Sequence, residues 1–202
     1  MKKILLTTLI TLFIMGFAST AKAVTLDPGG VVTSLGVLTP SGSLVTSLLG
    51  QSFIGKDIDG VSFFSGTLDQ YVYKNKTGLL FVYQVHSDNI YPDHIQTLST
   101  TGFSGFAAGV DIDILAGKTI SRSSSGGTIT FNFLDIADNT TSPYYWIQTD
   151  ARYLRWGGTN LIDGGTANLK TYAPGPGVPE PTTMLLFGMG VLGLIGLGRK
   201  KA

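Results

Sequence analysis

The sequence predicts an all-β protein: an antiparallel β-sandwich-like body, residues 24–171, between an N-terminal signal peptide and a C-terminal transmembrane helix. Three observations predict the body. Its composition is low in charge, rich in Ser, Thr and Gly, and free of glutamate, which disfavours helices and favours strands. Apolar and polar residues alternate in several short runs, as they do in strands with one buried face. Clusters of Gly, Ser and Asp separate these runs, as turns do.

The alternation places individual strands along the body. Residues 65–73 and 78–86 are predicted to form two strands, joined as a hairpin by the loop at 74–77. In residues 110–114 and 128–133, apolar side chains alternate with Asp, Thr and Asn. Residues 144–156 are predicted to form one more strand, either straight or bent. Because no helical period intervenes, these short strands are expected to pair as an antiparallel sandwich.

Residues 1–23 have the parts of a secretory signal peptide. Two lysines precede an apolar run at 4–17, and the small residues Ala21 and Ala23 mark a cleavage site. Signal peptidase is therefore expected to cut after Ala23 and to leave Val24 at the mature N-terminus. An uncleaved membrane anchor is the alternative, which the short apolar run disfavours.

An uncharged stretch, residues 182–198, is predicted to be a transmembrane helix. Its 17 residues would give a helix about 26 Å long, at the short end of what spans a bilayer. The basic tail, residues 199–202, contains Arg199, Lys200 and Lys201, and the positive-inside rule places it in the cytoplasm. The body is therefore expected on the outer side of the inner membrane.

Residues 172–181 form a Pro- and Gly-rich linker before this helix. Alternating Pro and Gly sustains neither a helix nor a central strand, so we expect an extended, exposed segment. It ends in Val178, Pro179, Glu180 and Pro181, and Glu180 is the only glutamate of the chain. A lone glutamate between two prolines indicates a motif that a partner recognises.

The motif at 178–181, the glycine-rich apolar stretch and the terminal basic residues together resemble the PEP-CTERM protein-sorting signal of Gram-negative bacteria. The resemblance covers about the last 25 residues and depends on the order of its three parts. It implies that an exosortase, an integral-membrane sorting protease, cuts near Pro179 to Pro181. The body would then be released or transferred to the cell exterior, so the inner membrane would hold it only transiently. Such proteins commonly accompany exopolysaccharide and biofilm production.

Two other interpretations of the C-terminal segment remain. A permanent tail anchor with an incidental Pro-Glu-Pro step has the same composition. A GPI signal has a similar layout of spacer and apolar tail, but normally ends without a basic stop.

Charge and cysteine content narrow the partners of the body. Six of the 14 basic residues lie in the targeting segments, so the body holds eight against twelve Asp, a net charge of −4. Without a basic stripe, nucleic acid is not expected as a partner. The chain has no cysteine, so the exported fold must depend on packing alone, and thiol chemistry is excluded.

Both histidines lie in residues 86–94, which hold the best candidates for a metal site. His86, Asp88, Asp93 and His94 would bind a divalent ion if the loop brought them together. The segment also contains Asn and Pro, which are typical of a polar surface loop, and that is the preferred interpretation. We therefore predict no metal, no cofactor and no catalytic residue; a metal-dependent hydrolase is the second alternative for function.

Two groups of aspartates are weaker candidates. Asp57, Asp59 and Gly60 are similar to half a calcium loop but lack the glutamate that an EF-hand requires at its twelfth position, so a turn is preferred. Asp111 and Asp113 alternate with apolar residues that define the buried side of their strand. We expect both on a solvated sheet face rather than as a catalytic pair.

Clustered aromatic residues are the remaining functional possibility. Tyr144, Trp146 and Trp156 would stack on sugars if they were exposed, whereas buried rings would belong to the core. In a strand that starts at Tyr144, that residue and Trp146 share one face, and Tyr145 and Ile147 share the other. Because Ile147 marks the core, Trp146 is expected to be accessible.

These features predict an exported, non-catalytic surface or extracellular-matrix protein, associated with exopolysaccharide or biofilm and sorted through its C-terminal signal. Its expected partners are signal peptidase, an exosortase-type sorting protease and, during transit, the inner membrane. A carbohydrate-binding module for extracellular polysaccharide is the alternative.

Overall fold

The structure is a computed structural model that describes residues 23–32, 42–88, 90–91, 93–112 and 119–177. Over these residues the chain is all-β and contains no helix, as the composition predicts. The strands are β1 (Val24–Thr25), β2 (Val31–Val32), β3 (Ser43–Lys56), β4 (Ser62–Lys74), β5 (Leu79–Ser87), β6 (Ile95–Thr101), β7 (Ala108–Ile112), β8 (Thr119–Arg122), β9 (Thr128–Ile136), β10 (Tyr145–Thr149), β11 (Tyr153–Asp163) and β12 (Gly165–Gly175).

The strands form one antiparallel sheet in the order β1-β7-β10-β5-β4-β3-β12-β11-β6-β9-β8-β2. We call the strands from β1 to β3 in this order the first half, and those from β12 to β2 the second half. Within each half the pairing is extensive. Between the halves, β3 and β12 share a single described pair, Lys56 with Thr166.

The inner faces of the two halves pack against each other, and the core lies between them. Tyr83 of β5 hydrogen-bonds through its hydroxyl to Thr100 Oγ1 of β6, at 3.1 Å. The rings of Phe131 in β9 and Tyr145 in β10 lie 5.2 Å apart between centroids. The predicted sandwich is therefore correct in its antiparallel strands and facing layers. It is wrong in its separate sheets, because the pair at Lys56 makes the sheet continuous.

A buried glutamine strengthens the junction between the halves. The side-chain amide of Gln70, in β4, accepts a hydrogen bond from Tyr172 N at 2.8 Å and donates one to Tyr172 O at 2.7 Å. Gln70 therefore bonds to the backbone of β12 at Tyr172, where no pair between β3 and β12 is described. A register shift in β3 between Leu48 and Gln51 accompanies this separation.

The hairpin between β4 and β5 forms at the predicted loop. Asn75 Oδ1 accepts hydrogen bonds from the backbone amides of Thr77 and Gly78, at 3.0 and 3.1 Å. Gly78 has a φ of 150°, and a Cβ there would overlap the carbonyl oxygen of Thr149. The loop therefore requires glycine at this position.

Two predicted boundaries need correction. The strand predicted at 144–156 is divided at residues 150–152, since β10 pairs with β5 and β7 in the first half and β11 with β12 and β6 in the second. The linker predicted from Tyr172 begins later, because β12 continues to Gly175. Pro174 is tolerated within β12 because no described strand pairs with the far side of β12 at that point.

A buried arginine fastens the N-terminal segment to the body. Arg122 is 5% exposed, and its guanidinium donates to the carbonyl oxygens of Leu26, Phe103, Phe106 and Gly126 at 2.7–3.0 Å. Burial lowers the pKa of this guanidinium. β1 and β2 lie at opposite edges of the sheet. Arg122 holds the segment between them through its hydrogen bond to Leu26 O.

The predicted targeting segments lie mainly outside the described residues. Residues 1–22, including Ala21, and residues 178–202, including the predicted membrane helix at 182–198, are among those not described. β1 begins at Val24, the predicted first residue of the mature chain. In the part of the chain that the structure describes, no helix has the length and apolar character needed to cross a membrane.

Candidate functional site

The predicted sorting segment follows the last strand closely. β12 ends at Gly175, which pairs with Tyr153 at the start of β11. The described residues end at Gly177, so Val178 to Pro181 and the basic residues Arg199 to Lys201 lie outside them. The described fold therefore ends just before the motif.

The outer face of the first half carries an aromatic cluster: Tyr71, Tyr73, Val82, Tyr144 and Trp146, which line a cavity of about 190 Å³. Strand register brings these residues together, since Val82 pairs with Tyr71 on one side and with Trp146 on the other. The Tyr144 ring lies edge to face against Tyr71 and Trp146, with centroids 6.5 and 6.0 Å apart. Such ring contacts contribute about 0.5–1.5 kcal/mol each beyond the burial of their area.

The expectation that Trp146 is accessible is wrong. Tyr145 and Ile147 face the core, and Trp146 faces outward with Tyr144, as the alternation predicts. Trp146 is nevertheless only 2% exposed, because Tyr71 and Tyr144 pack against it within the aromatic cluster. The part of the cluster that solvent reaches consists of tyrosine side chains.

The indole Nε1–H of Trp146 is buried and has no hydrogen-bond partner among the described residues. An unsatisfied buried donor of this kind costs about 1–3 kcal/mol. The same indole lines the cavity of the aromatic cluster. An acceptor atom that reached the indole from this cavity would remove the cost.

Asp69 sets the electrostatics beside the aromatic cluster. Burial raises the pKa of Tyr71, and the negative charge of Asp69 raises it further. Asp69 Oδ1 accepts a hydrogen bond from Gly50 N at 2.6 Å, which fixes the carboxylate. The Tyr71 hydroxyl therefore stays protonated at neutral pH and remains a hydrogen-bond donor.

His86 lies between a carboxylate and a hydroxyl. Its Nε2 is 3.3 Å from Asp69 Oδ2, and its Nδ1 is 2.9 Å from Thr141 Oγ1. This order is similar to that of a hydrolytic triad. The backbone amides on either side of the hydroxyl, those of Thr140 and Ser142, already donate to carbonyl oxygens and are not available to stabilise an oxyanion. The arrangement is therefore better suited to joining strands than to catalysis.

The four metal candidates do not form a site. His86 contacts Asp69 and Thr141, whereas Asp88 Oδ1 accepts a hydrogen bond from Ile90 N at 3.1 Å. Within the described residues, no three His, Cys, Asp or Glu side chains are placed to hold a metal ion, and this includes Asp93 and His94. The metal-dependent hydrolase thus gains no support from the geometry.

The segment at Asp57 is a turn, as preferred from the sequence. Asp57 Oδ1 accepts hydrogen bonds from Asp59 N and Val61 N at 3.0 and 2.8 Å. Gly60 has a φ of 83°, which glycine adopts without strain. The carboxylate that a calcium ion would need is therefore engaged in the turn.

Asp111 differs from its prediction. It is 1% exposed rather than solvated, and its partner in the sheet register is the large indole residue Trp146. Asp113 lies outside the described residues. Alternation correctly assigns Asp111 to the face opposite Val110 but gives no information on how neighbouring side chains cover that face.

Trp156 is the exposed tryptophan of the body. It lies on the outer face of β11 and is 52% exposed. Its ring stacks on Tyr172 at 4.6 Å and 17°, and Lys170 Nζ lies 4.4 Å from the ring centroid. A sugar that stacked on the indole would have to compete with Lys170, which is itself exposed.

Most of the outer face of the second half carries uncharged hydroxyl and amide side chains, and Val31, Ile162, Lys170, Trp156 and Tyr172 lie beside them on the same side of the sheet. We call the uncharged hydroxyl and amide part of this surface the polar face. It consists of Thr97, Ser99, Thr101, Thr119, Ser121, Thr128, Thr130, Asn132, Asn160, Thr166 and Asn168. One row crosses five strands without interruption, in the order Ser121, Thr130, Ser99, Asn160 and Asn168.

Side chains of the polar face bond to each other along these rows. Ser99 Oγ lies 2.6 Å from Thr130 Oγ1. In the neighbouring row, Asn132 Nδ2 donates to Thr119 Oγ1 at 3.1 Å, and Asn132 Oδ1 accepts from Thr97 Oγ1 at 3.4 Å. The rotamers are therefore ordered before any ligand arrives.

Sequence reasoning did not identify the polar face. The alternation in β9 predicts that Thr128, Thr130 and Asn132 face away from the core, and the structure agrees. Sheet register places these three residues beside the polar residues of β6, β8 and β11, and the sequence alone does not give that register. The available signal was the Thr-x-Ser-x-Thr pattern at 97–101, which resembles the Thr-x-Thr-x-Asn pattern of β9 in its alternating small polar residues.

The described residues form an all-β body with two different outer faces, one with the aromatic cluster and one with the polar face. The sorting segment follows this body in the chain. Residues 177–201 match the family model of the PEP-CTERM protein-sorting motif. The resemblance drawn from the sequence is thereby confirmed, and the chain carries the motif of proteins that are exported and sorted by an exosortase. Neither a curated protein nor a solved structure matches the chain.

Proposed function

We propose that the chain is an exported, non-catalytic surface or extracellular-matrix protein, sorted by an exosortase through its C-terminal segment. The match of residues 177–201 to the sorting motif carries this proposal. Signal peptidase removes residues 1–23, and residues 182–198 hold the protein in the inner membrane. The exosortase then cuts near Pro179 to Pro181, and the body reaches the cell surface or an exopolysaccharide matrix.

The contacts of the best catalytic candidates support a non-catalytic role. His86 bonds to the hydroxyl of Thr141, but the amides beside that hydroxyl already donate, that of Thr140 to Ala137 O in a turn and that of Ser142 to Val85 O. Asp57 is bonded within its own turn. The functional capacity of the body therefore lies in its outer faces.

The sorting proposal is tested by mass spectrometry of extracellular material from the producing cells. We expect peptides from the body and none from residues 182–202. A Glu180→Gln variant should keep its C-terminal peptides and remain in the inner membrane. Asp59→Asn, which removes one exposed carboxylate in a turn of the body, is the control and should be processed normally. Intact C-termini on the outer surface of wild-type cells would contradict the proposal.

Carbohydrate binding by the body is the second candidate function. The observation that favours it is the half-exposed indole of Trp156, since a sugar presents its apolar face to such a ring. Trp146 and Tyr144, the other predicted stacking residues, belong to the aromatic cluster, and the buried indole offers no open platform. Trp156 is therefore the residue on which a first test should act.

The binding candidate is tested by retention of the protein on the exopolysaccharide of its own cells. Trp156→Ala should reduce retention, whereas Trp146→Phe should not, because that ring is enclosed. Equal retention of wild type and Trp156→Ala would exclude stacking on this indole. If neither wild type nor Trp156→Ala is retained, the body does not bind this exopolysaccharide, and the matrix role would not include a carbohydrate contact.

A further inference from the structure

We propose that the polar face binds an extended neutral glycan that lies across the strands. The inference rests on the second candidate function, carbohydrate binding, and assigns it a surface and a ligand class. Neither the sorting motif nor the aromatic residues single out this surface.

The eleven side chains of the polar face are neutral, although the body contains eight basic residues and twelve Asp. An exposed sheet face normally needs only to be polar, and charged side chains serve that purpose as well as neutral ones. Among the described residues, Lys56 and Lys170 bring positive charge to the β12 margin, whereas the rows across β6, β8, β9 and β11 carry none and so disfavour nucleic acids and acidic glycans, which require cations. The rows themselves contain no aromatic, Met or Arg side chain, the residue types in which protein interfaces are enriched.

The geometry supplies the second step. Neighbouring strands lie about 4.8 Å apart, so the row from Ser121 to Asn168 spans about 19 Å with one polar group per strand. That spacing is close to the rise of one sugar unit in an extended β-linked chain. A glycan placed along the row would therefore present successive hydroxyl groups to successive side chains.

Hydrogen-bonding capacity is the third step. A hydroxyl group has one donor and two acceptor sites, so the mutual bond of Ser99 and Thr130 leaves acceptor sites on both. Asn132 donates to Thr119 and retains a second N–H. The face thus offers both donors and acceptors. Because its rotamers are ordered by its own bonds, binding loses little side-chain entropy.

Trp156 provides an aromatic platform at one end of the same surface. It is on the face of β11 that also carries Asn160, two alternations further along the strand. Gly158 lies between them and has no side chain to separate the indole from the polar row. Lys170, the register partner of Gly158, lies over the indole, so a glycan that bound the polar row and the ring together would have to displace its ammonium group.

The test is the depletion of the full-length chain, purified in detergent, by insoluble cellulose and mannan as neutral probes and by alginate beads as the acidic probe. We expect retention on at least one neutral glycan and none on alginate. Ser99→Lys, which places a charge in the middle of the row, should weaken retention about tenfold, the effect of losing one or two hydrogen bonds. Ser52→Lys, on an exposed position of β3, is the matched control and should bind like wild type.

Asn168→Lys is the second variant, because this side chain is exposed and its replacement does not disturb packing. It decides the question if Ser99→Lys does not fold. Retention on neither neutral glycan, equal retention of the row variants and Ser52→Lys, or equal binding to alginate would overturn the inference. A processed protein at the cell surface that shows such a result would leave the sorting proposal intact. Intact C-termini at the cell surface, together with glycan binding that the row variants weaken, would refute the sorting proposal and leave this inference standing.

Discussion

Replacing Arg122 with methionine should destabilise the body strongly. The guanidinium is 5% exposed and donates to four backbone carbonyl oxygens that belong to three separate segments. Methionine is unbranched and apolar and has no donor, so the substitution removes all four hydrogen bonds while it keeps much of the packing; Phe103 O still accepts a bond from Phe106 N. Arg122→Met therefore isolates the hydrogen bonds from the packing.

The magnitude follows from two opposing contributions. Four hydrogen bonds from a charged donor contribute about 6 kcal/mol at the low end of their range, about 1.5 kcal/mol each. Removing a buried charge returns a few kcal/mol of desolvation cost. We expect a net loss of about 3–5 kcal/mol in the free energy of unfolding. For a domain of this size, that corresponds to a decrease in Tm of roughly 10 °C.

The measurement is urea unfolding of the purified protein, followed by tryptophan fluorescence. Arg155→Met is the matched control, because Arg155 is exposed and donates to two carbonyl oxygens, those of Pro174 and Gly102. It should lose about 1 kcal/mol or less. Equal losses in the two variants would show that Arg122 does not fasten the N-terminal segment.

Three further outcomes follow from buried groups. Gly78→Ala should lose about 2 kcal/mol or more in unfolding free energy, since its φ is 150° and a Cβ would overlap Thr149 O; an unchanged urea midpoint would contradict this. Trp146→Phe should change stability by less than about 1 kcal/mol, because the lost contacts are offset by removal of an unsatisfied N–H; a loss above about 3 kcal/mol would refute that account. Burial raises the pKa of Tyr83 above its unfolded value near 10, so its contribution is complete below pH ~10 and is lost as pH rises further. Unfolding midpoints between pH 8 and 12 should therefore fall less steeply in Tyr83→Phe than in wild type.

Local signals predicted the strands but not their assembly. Alternation at 128–132 and the loop at 74–77 are fixed by neighbouring residues, and both occur as predicted. The continuity of the sheet depends on Lys56 pairing with Thr166, more than a hundred positions away, and no local pattern records that pair. The division at 150–152 does have a local sign, since Asp150 and Arg152 interrupt the apolar pattern, but such a sign does not tell a bend from a passage between the halves of the sheet.

The candidate surfaces show the same limit. Alternation assigned Trp146 to the outer face correctly, but its burial results from Tyr71 of β4, which is brought near by pairing through β5. The sequence does not distinguish Trp156 from Trp146. The difference in their exposure comes from side chains on neighbouring strands and not from residues close to them along the chain. The PEP-CTERM motif was recognisable because its information is contiguous at 177–201.

The position of β12 connects the two proposals physically. β12 forms one margin of the polar face through Thr166 and Asn168, and it ends at Gly175. Glu180 lies five positions after Gly175, so the chain between them reaches at most about 18 Å. A body attached through a new C-terminus near the motif would therefore stay within that distance of its attachment point. The polar face would then lie beside whatever surface the exosortase pathway provides, and short reach together with many copies would convert weak glycan contacts into firm retention.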